Sequence, residues 1–329
     1  MRRIHSLDYL KTFLSLFVVL AHTNWIQNNT TMGLFVFGSG LMRTLVPLFC
    51  IIAGYFLHIS MVGGRAGKWL MRMLVLYLFW MAVYFPIWQG QVTGLRSLAT
   101  TLLWGFFHLW FLIGLFVGGL ALAGLVALGR RLAPGHEVWF VVLPAAICAL
   151  LGLAMQYADL SGLAQIPVQR YRNGLFMCFP FLAIGYLLNA RLNRPGTVPA
   201  TRPRPLLILG LALLLLCAEA WLVQARFGTG VMIEMPAATY VAAPLIFLLA
   251  LELRMPPQPV DLGLVSATIY FLHVWAFRLA DLLDIHDVLG LMLFGVGVPT
   301  VIALFYDEAR RRMRGGPHSA ALVRSAGRD

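Results

Sequence analysis

Long apolar runs alternate along the chain with short segments that carry most of its charge. A helix in lipid must satisfy its own backbone hydrogen bonds, and it takes about 20 residues to cross roughly 30 Å of hydrocarbon. That ruler picks out ten runs, at 10–27, 37–59, 70–88, 108–128, 137–156, 174–190, 205–223, 236–252, 262–282 and 288–306. The pattern predicts an all-α, polytopic integral membrane protein of about ten transmembrane helices, and an even number puts both termini on one side. The apolar stretch 97–107 (SLATTLLWGFF) is too short to cross, so it is expected either as a re-entrant piece or as an outward extension of the fourth span. The Pro- and Arg-rich stretch from Asn193 to Pro205 reads as a cytoplasmic connector. The Gly-, Ser-, Ala- and Arg-rich residues 315–329 read as a disordered tail after one membrane domain over 1–314.

Composition sharpens this picture. Of the 329 residues 60% are apolar and 12% charged, against roughly 45–50% and 25% in soluble domains, which excludes a soluble enzyme. The net charge is +12, from 25 Lys+Arg and 13 Asp+Glu. The basic residues lie in short connections between apolar runs, not on one folded face, so they do not point to nucleic acid. With the N-terminus inside, only Arg43, Arg96, Arg170, Arg172, Arg226 and Arg278 fall in outer loops or outer halves of spans, and the other nineteen are inner. Both termini are therefore expected in the cytoplasm. Cys50, Cys148, Cys178 and Cys217 lie in apolar stretches with no paired-thiol or metal spacing, and are expected as buried free thiols. The first run has a basic flank like a signal peptide, but it ends in His22-Thr23-Asn24-Trp25 with no small-residue cleavage site, so it reads as the first span.

An ionisable residue inside a span costs a few kcal/mol and is a functional candidate by default. The candidates are His22, Arg43, His108, Glu219, His273, Arg278 and Asp281. If Lys11 marks the inner boundary, His22 lies eleven residues on, about 16 Å into the membrane. His273 lies eleven residues after Leu262 and reaches a similar depth, so two histidines from different helices share one level. Arg43 and His108 open the second and fourth spans from outside, and Arg278 lies outward of His273. Taken alone, His22 is as readily a carbonyl-bound ring as a reactive one, and His273 reads first as helix packing. Trp104, Trp110 and Trp275 read as interface anchors or packing. Arg170 and Arg172 read as solvated loop residues, though an Arg-x-Arg pair suits an anionic glycan. Glu219 reads either as a lone snorkelling residue or as pairing within the bundle, and it is assigned no role.

The order of the motifs resembles membrane-bound acyltransferase family 3. Leu7-Asp8-Tyr9-Leu10-Lys11 followed by His22 is similar to the family's first helix, where an Asp, a basic residue and a later histidine occur at this spacing. Arg43 to Phe49 leading to Ala53-Gly54-Tyr55-Phe56-Leu57, then Lys68 to Trp80, then His108-Leu109-Trp110-Phe111-Leu112, and finally Ser266 to His273 fit in order. Lys11 stands where many members carry arginine, and Trp69 and Val75 replace a common arginine and proline.

The resemblance implies transfer of an acyl group, usually acetyl, from cytoplasmic acetyl-coenzyme A to a hydroxyl of an envelope glycan, glycolipid or other extracytoplasmic acceptor. Its phosphates cannot enter hydrocarbon, so Lys11, Lys68 and Arg72 are the expected cofactor-binding cations at the inner face. His22 is the expected general base, because an imidazole with an ordinary pKa of roughly 6.5 accepts a proton at neutral pH. Asp8, about 21 Å down the same helix, cannot orient that ring, so the orienting group must come from another helix. Arg43 is the candidate for oxyanion stabilisation or acceptor grip, and His108 for a second proton relay. Asp8, Trp110, Arg170, Arg172, His273 and Arg278 are assigned to the acceptor or to structure. No metal is expected, because neither a serine-hydrolase elbow nor a zinc ligand set is present. A secondary transporter or exporter of a glycan or lipid precursor is the alternative, since histidines and arginines in spans also build proton relays and substrate paths.

Overall fold

The computed structural model describes residues 3–23, 25, 31–192, 205–228 and 231–314. The tail expected from 315 and the connector at 193–204 lie outside the described residues. No strand occurs among the described residues. The helices are α1 (His5–His22), α2 (Met32–Ser39), α3 (Leu45–Val62), α4 (Ala66–Val83), α5 (Leu95–Trp104), α6 (Trp110–Leu132), α7 (Trp139–Leu160), α8 (Phe179–Leu192), α9 (Pro205–Phe227), α10 (Thr239–Glu252), α11 (Leu262–Leu282) and α12 (Val288–Arg314). A 3-10 turn Leu41–Thr44 leads into α3, and a π turn Gly174–Cys178 leads into α8.

Among the described residues, eight helical stretches are long and apolar enough to cross a membrane: Met32–Val62, Ala66–Val83, Phe107–Leu132, Trp139–Leu160, Gly174–Leu192, Leu206–Phe227, Leu262–Leu282 and Val288–Met313. The two remaining expected runs fall on α1 and α10. Helix α10 has only 14 residues, and α1 carries His5, Asp8, Lys11 and His22 within its 18. Run ends read from apolarity are good to several residues, and two helices lie earlier than their runs: α1 begins at His5 and ends at His22, and α4 stops at Val83, where Pro86 enters the separate turn Phe85–Trp88, because proline cannot continue the preceding hydrogen-bond ladder. Stretch 97–107 does not extend the fourth span. It contains most of the separate helix α5, which ends at Gly105, whose φ of +79° and whose approach to the Trp110 backbone leave no room for a Cβ.

The chain forms two compact units. The smaller takes residues 1–28 and 250–329, where α1, α11 and α12 pack together around Val19, Val265, Ile269 and Ala303. The Ser15 hydroxyl lies 2.7 Å from that of Ser266, a buried polar tie between α1 and α11 of the kind that small hydroxyl side chains make between apolar helices.

The larger unit takes 29–249. Its most extensive helix contact is between α3 and α8, which run in the same direction. A Cβ on Gly54 would overlap the Leu182 carbonyl, and one on Gly185 would overlap that of Ile51, so the two backbones touch through glycines. Cys50 and Cys178 meet on one side of this crossing, and His58 Nδ1 lies 2.8 Å from Asn189 Oδ1 on the other. The four cysteines are free, but only Cys50 and Cys178 are buried; Cys148 and Cys217 are half-buried on α7 and α9, whose outer faces expose many leucines.

Candidate functional site

In the smaller unit α1 and α11 bring His22 and His273 together. His22 Nδ1 lies 2.9 Å from His273 Nε2, and the ring planes are within 4° of parallel. His273 Nδ1 faces the backbone carbonyls of Ile269 and Tyr270 at 3.1 and 2.9 Å. A carbonyl only accepts, so Nδ1 of His273 carries the proton. In a neutral ring Nε2 is then the acceptor. The hydrogen bond therefore runs from His22 Nδ1–H to His273 Nε2, which leaves the lone pair of His22 on Nε2. His273 is buried, whereas His22 is partly exposed. The shared level read from the sequence holds. His22, however, is the last residue of α1, where Thr23 closes the helix on the Leu20 carbonyl, and does not lie midway along a longer helix.

From this pair, α1 presents a polar seam toward its N-terminal end. Ser15 and Ser266 come next, then Thr12, whose hydroxyl donates to the Leu262 carbonyl at 3.1 Å. At the end Asp8 takes two cations, Lys11 at 2.7 Å and Arg3 at 2.6 Å. Arg3 also reaches Asp261 at 2.5 Å, and Asp261 caps α11 through the backbone N–H groups of Gly263 and Leu264. Burial pushes the Asp261 carboxyl up, but Arg3 and those two amides outweigh it and hold it below the ordinary carboxylate range. Lys11 thus keeps an internal counter-ion in Asp8. Arg278, five residues past His273, is exposed.

In the larger unit a second cluster forms. Glu234 Oε2 accepts from Arg43 Nη1 at 2.9 Å and Arg172 Nη1 at 3.1 Å. Arg43 comes from the 3-10 turn ahead of α3, and Arg172 from the segment ahead of α8. The Arg172 guanidinium sits over the Trp110 ring, 5.2 Å from its centroid. The backbone around Glu234 is clamped from two helices. Gln156 on α7 accepts from the Glu234 and Met235 N–H groups at 2.8 and 2.7 Å and donates to the Met235 carbonyl. Glu219 on α9 accepts from the Ala237 and Ala238 N–H groups and from the Tyr157 hydroxyl.

Glu234 and Gln156 were missed from the sequence. The available signal for Glu234 was an acid in an outer connection, on the side where Arg43, Arg170 and Arg172 also lie. Of the two readings of Glu219, the structure shows the paired one: its carboxylate fixes the loop that carries Glu234.

His108 is buried in the 3-10 turn Phe107–Leu109, edge-on to Tyr84 with centroids 5.3 Å apart. Phe107 beside it has a φ of +45°, a strained value for a residue with a Cβ. Lys68 and Arg72 are exposed and one helical turn apart near the start of α4. A cavity of about 530 Å³ opens beside Trp104, Gly105, Phe107, Trp110, Arg170 and Arg172. The structure thus joins His22 to His273, Arg43 to Arg172 through Glu234, and Arg172 to Trp110, with Arg170 lining the same cavity.

A family model described as an acyltransferase domain matches residues 4–306, nearly the whole chain. No match was found among the curated proteins or among the solved structures.

Proposed function

The chain belongs to acyltransferase family 3 and is a multi-span membrane acyltransferase, and on that premise we propose that it moves an acyl group, acetyl, from cytoplasmic acyl-coenzyme A to a hydroxyl of an envelope carbohydrate or related acceptor. It acts in a bacterial cytoplasmic membrane with both termini inside. The observation that supports this reading is the His22–His273 hydrogen bond, with the second ring tied at its other nitrogen to two carbonyls. That arrangement gives His22 one tautomer and one orientation, the preparation that a general base needs.

In the proposed step His22 Nε2 takes the proton of the acceptor hydroxyl as its oxygen attacks the thioester carbonyl. The C–S bond breaks, and the coenzyme leaves as a thiolate that receives the proton back from His22. The products are an ester and a free thiol. Arg43, held by Glu234, keeps both roles open to it, acceptor grip and oxyanion stabilisation. Lys68 and Arg72 hold the donor's phosphates, with Lys11 beside the seam that leads along α1. His108 serves as a second relay.

The test is mass spectrometry of envelope glycans from cells expressing the chain or its His22→Gln variant, together with thiol release from acetyl-coenzyme A by the purified protein. The variant is expected to lose the ester and to release thiol about 10²- to 10⁴-fold more slowly. Equal ester content and equal thiol release in the variant would remove His22 from the chemistry.

A further inference from the structure

The 530 Å³ cavity has a neighbour. An apolar groove of about 290 Å³ shares Trp104, Trp110, Arg170 and Arg172 with it and continues between Leu103, Ile113, Val117 and Leu175. The two differ in chemistry and in position along the spans. The cavity takes Gln91, Thr100, Thr101 and Gln169 from connections that lie outside the candidate spans. The groove is built from the first turns of the spans Phe107–Leu132 and Gly174–Leu192. Leu103 and Leu175 are exposed along it, 61% and 42%, so it opens to the side where a membrane supplies acyl chains. Among the described residues Arg170 and Arg172 are the only charged groups lining either space. Arg172 shares the Glu234 carboxylate with Arg43.

A ligand that fills both spaces has a polar head beyond the spans, an anion where they meet, and an apolar chain among them. We propose that this double site binds an anionic amphiphile, a phosphate-bearing lipid whose phosphate meets Arg170 and Arg172, whose head enters the cavity and whose chain lies in the groove. Arginine suits the phosphate, because its planar fork donates two parallel hydrogen bonds to one group. Trp104 and Trp110 stand at the junction, where rings with one apolar face and one wet edge are favoured. This rests on the acyl-transfer reading only in making that lipid the carrier of the acceptor hydroxyl; the binding itself needs no acyl donor.

The test is binding of radiolabelled decyl phosphate to the purified full chain in uncharged detergent, measured by scintillation proximity. Unlabelled decyl phosphate should displace the label at a concentration at least tenfold below that needed with inorganic phosphate or decanol. Arg170→Gln, an exposed change, should weaken binding at least fivefold, and Ile113→Trp, which fills the groove, should do the same while leaving competition by inorganic phosphate unchanged. Displacement by inorganic phosphate as effective as by decyl phosphate would reduce the site to an anion pocket and overturn the proposal. Equal displacement by decanol, or no saturable binding, would overturn it too. A chain that binds decyl phosphate yet releases no thiol from acetyl-coenzyme A keeps this inference and loses the acyl-transfer reading, and the reverse result separates the two the other way.

Discussion

Replacing Glu234 by Gln removes the one carboxylate that holds Arg43 and Arg172 together while keeping the shape of the side chain. Its Oε2 accepts from both guanidiniums, at 2.9 and 3.1 Å, and the three side chains are only 12%, 18% and 29% exposed. The cluster therefore lies between two limits. An exposed ion pair is worth about 0–1 kcal/mol, whereas removing one partner of a buried pair costs about 3–5 kcal/mol. Two attractions vanish and two like charges then face each other, so a loss of about 2–4 kcal/mol is expected. In thermal unfolding of the purified chain this corresponds to a midpoint lower by about 5–10 °C. Arg43→Gln alone should also destabilise, and the double variant should cost less than the two single losses combined, by about 1 kcal/mol or more. An unchanged midpoint for the Glu234→Gln protein, or strict additivity in the double variant, would refute the reasoning.

Removing the acceptor for His22 Nδ1–H with His273→Ala should lower kcat about five- to tenfold with KM unchanged, as one hydrogen bond is worth about 1 kcal/mol, and His273→Gln should recover part of it. A KM effect with kcat intact would assign His273 to packing alone. Substituting both Lys68 and Arg72 by Gln removes two exposed charges and should raise the KM for acetyl-coenzyme A about fivefold while sparing kcat; the opposite split would move the phosphate site elsewhere. Gly54→Ala pushes a methyl into the Leu182 carbonyl and should cost about 3 kcal/mol of stability, or prevent folding, because backbone cannot step aside as a side chain can. Asp261, held below its ordinary 3.8, contributes stability that is present above that value and disappears as pH falls through the lower folded value. Between about pH 5 and pH 3 the Asp261→Asn protein should lose less of its thermal midpoint than the parent does.

The positions of the apolar helices were legible because each needs a run of fixed length, and the depth argument that put His22 level with His273 used nothing more than helical rise. Helix ends were less visible. The first run reads on to residue 27 across the polar His22, Thr23 and Asn24, past the point where Thr23 turns back on the Leu20 carbonyl, and apolarity continues past Val83, where Tyr84 and Pro86 break the helix. Gly105 looked compatible with an unbroken span, since a glycine in an apolar run does not announce that its neighbour's backbone sits too close for a Cβ. Glu234 was hidden for a different reason: a loop acid has no depth, and what makes it matter is that Gln156 and Glu219, from two other helices, hold its backbone in place.

The glycine contact between α3 and α8 has a mechanical consequence. Arg43 and Arg172 ride at the heads of these two rods, and the rods are pinned where Gly54 meets the Leu182 backbone and Gly185 that of Ile51, with no glycine side chain to act as a cushion. The gap between the two guanidiniums is thus a machined dimension set by main chain against main chain. A tilt of either rod about that pin, by as little as a bulkier residue would impose, swings its arginine in an arc and changes what can fit at the tips.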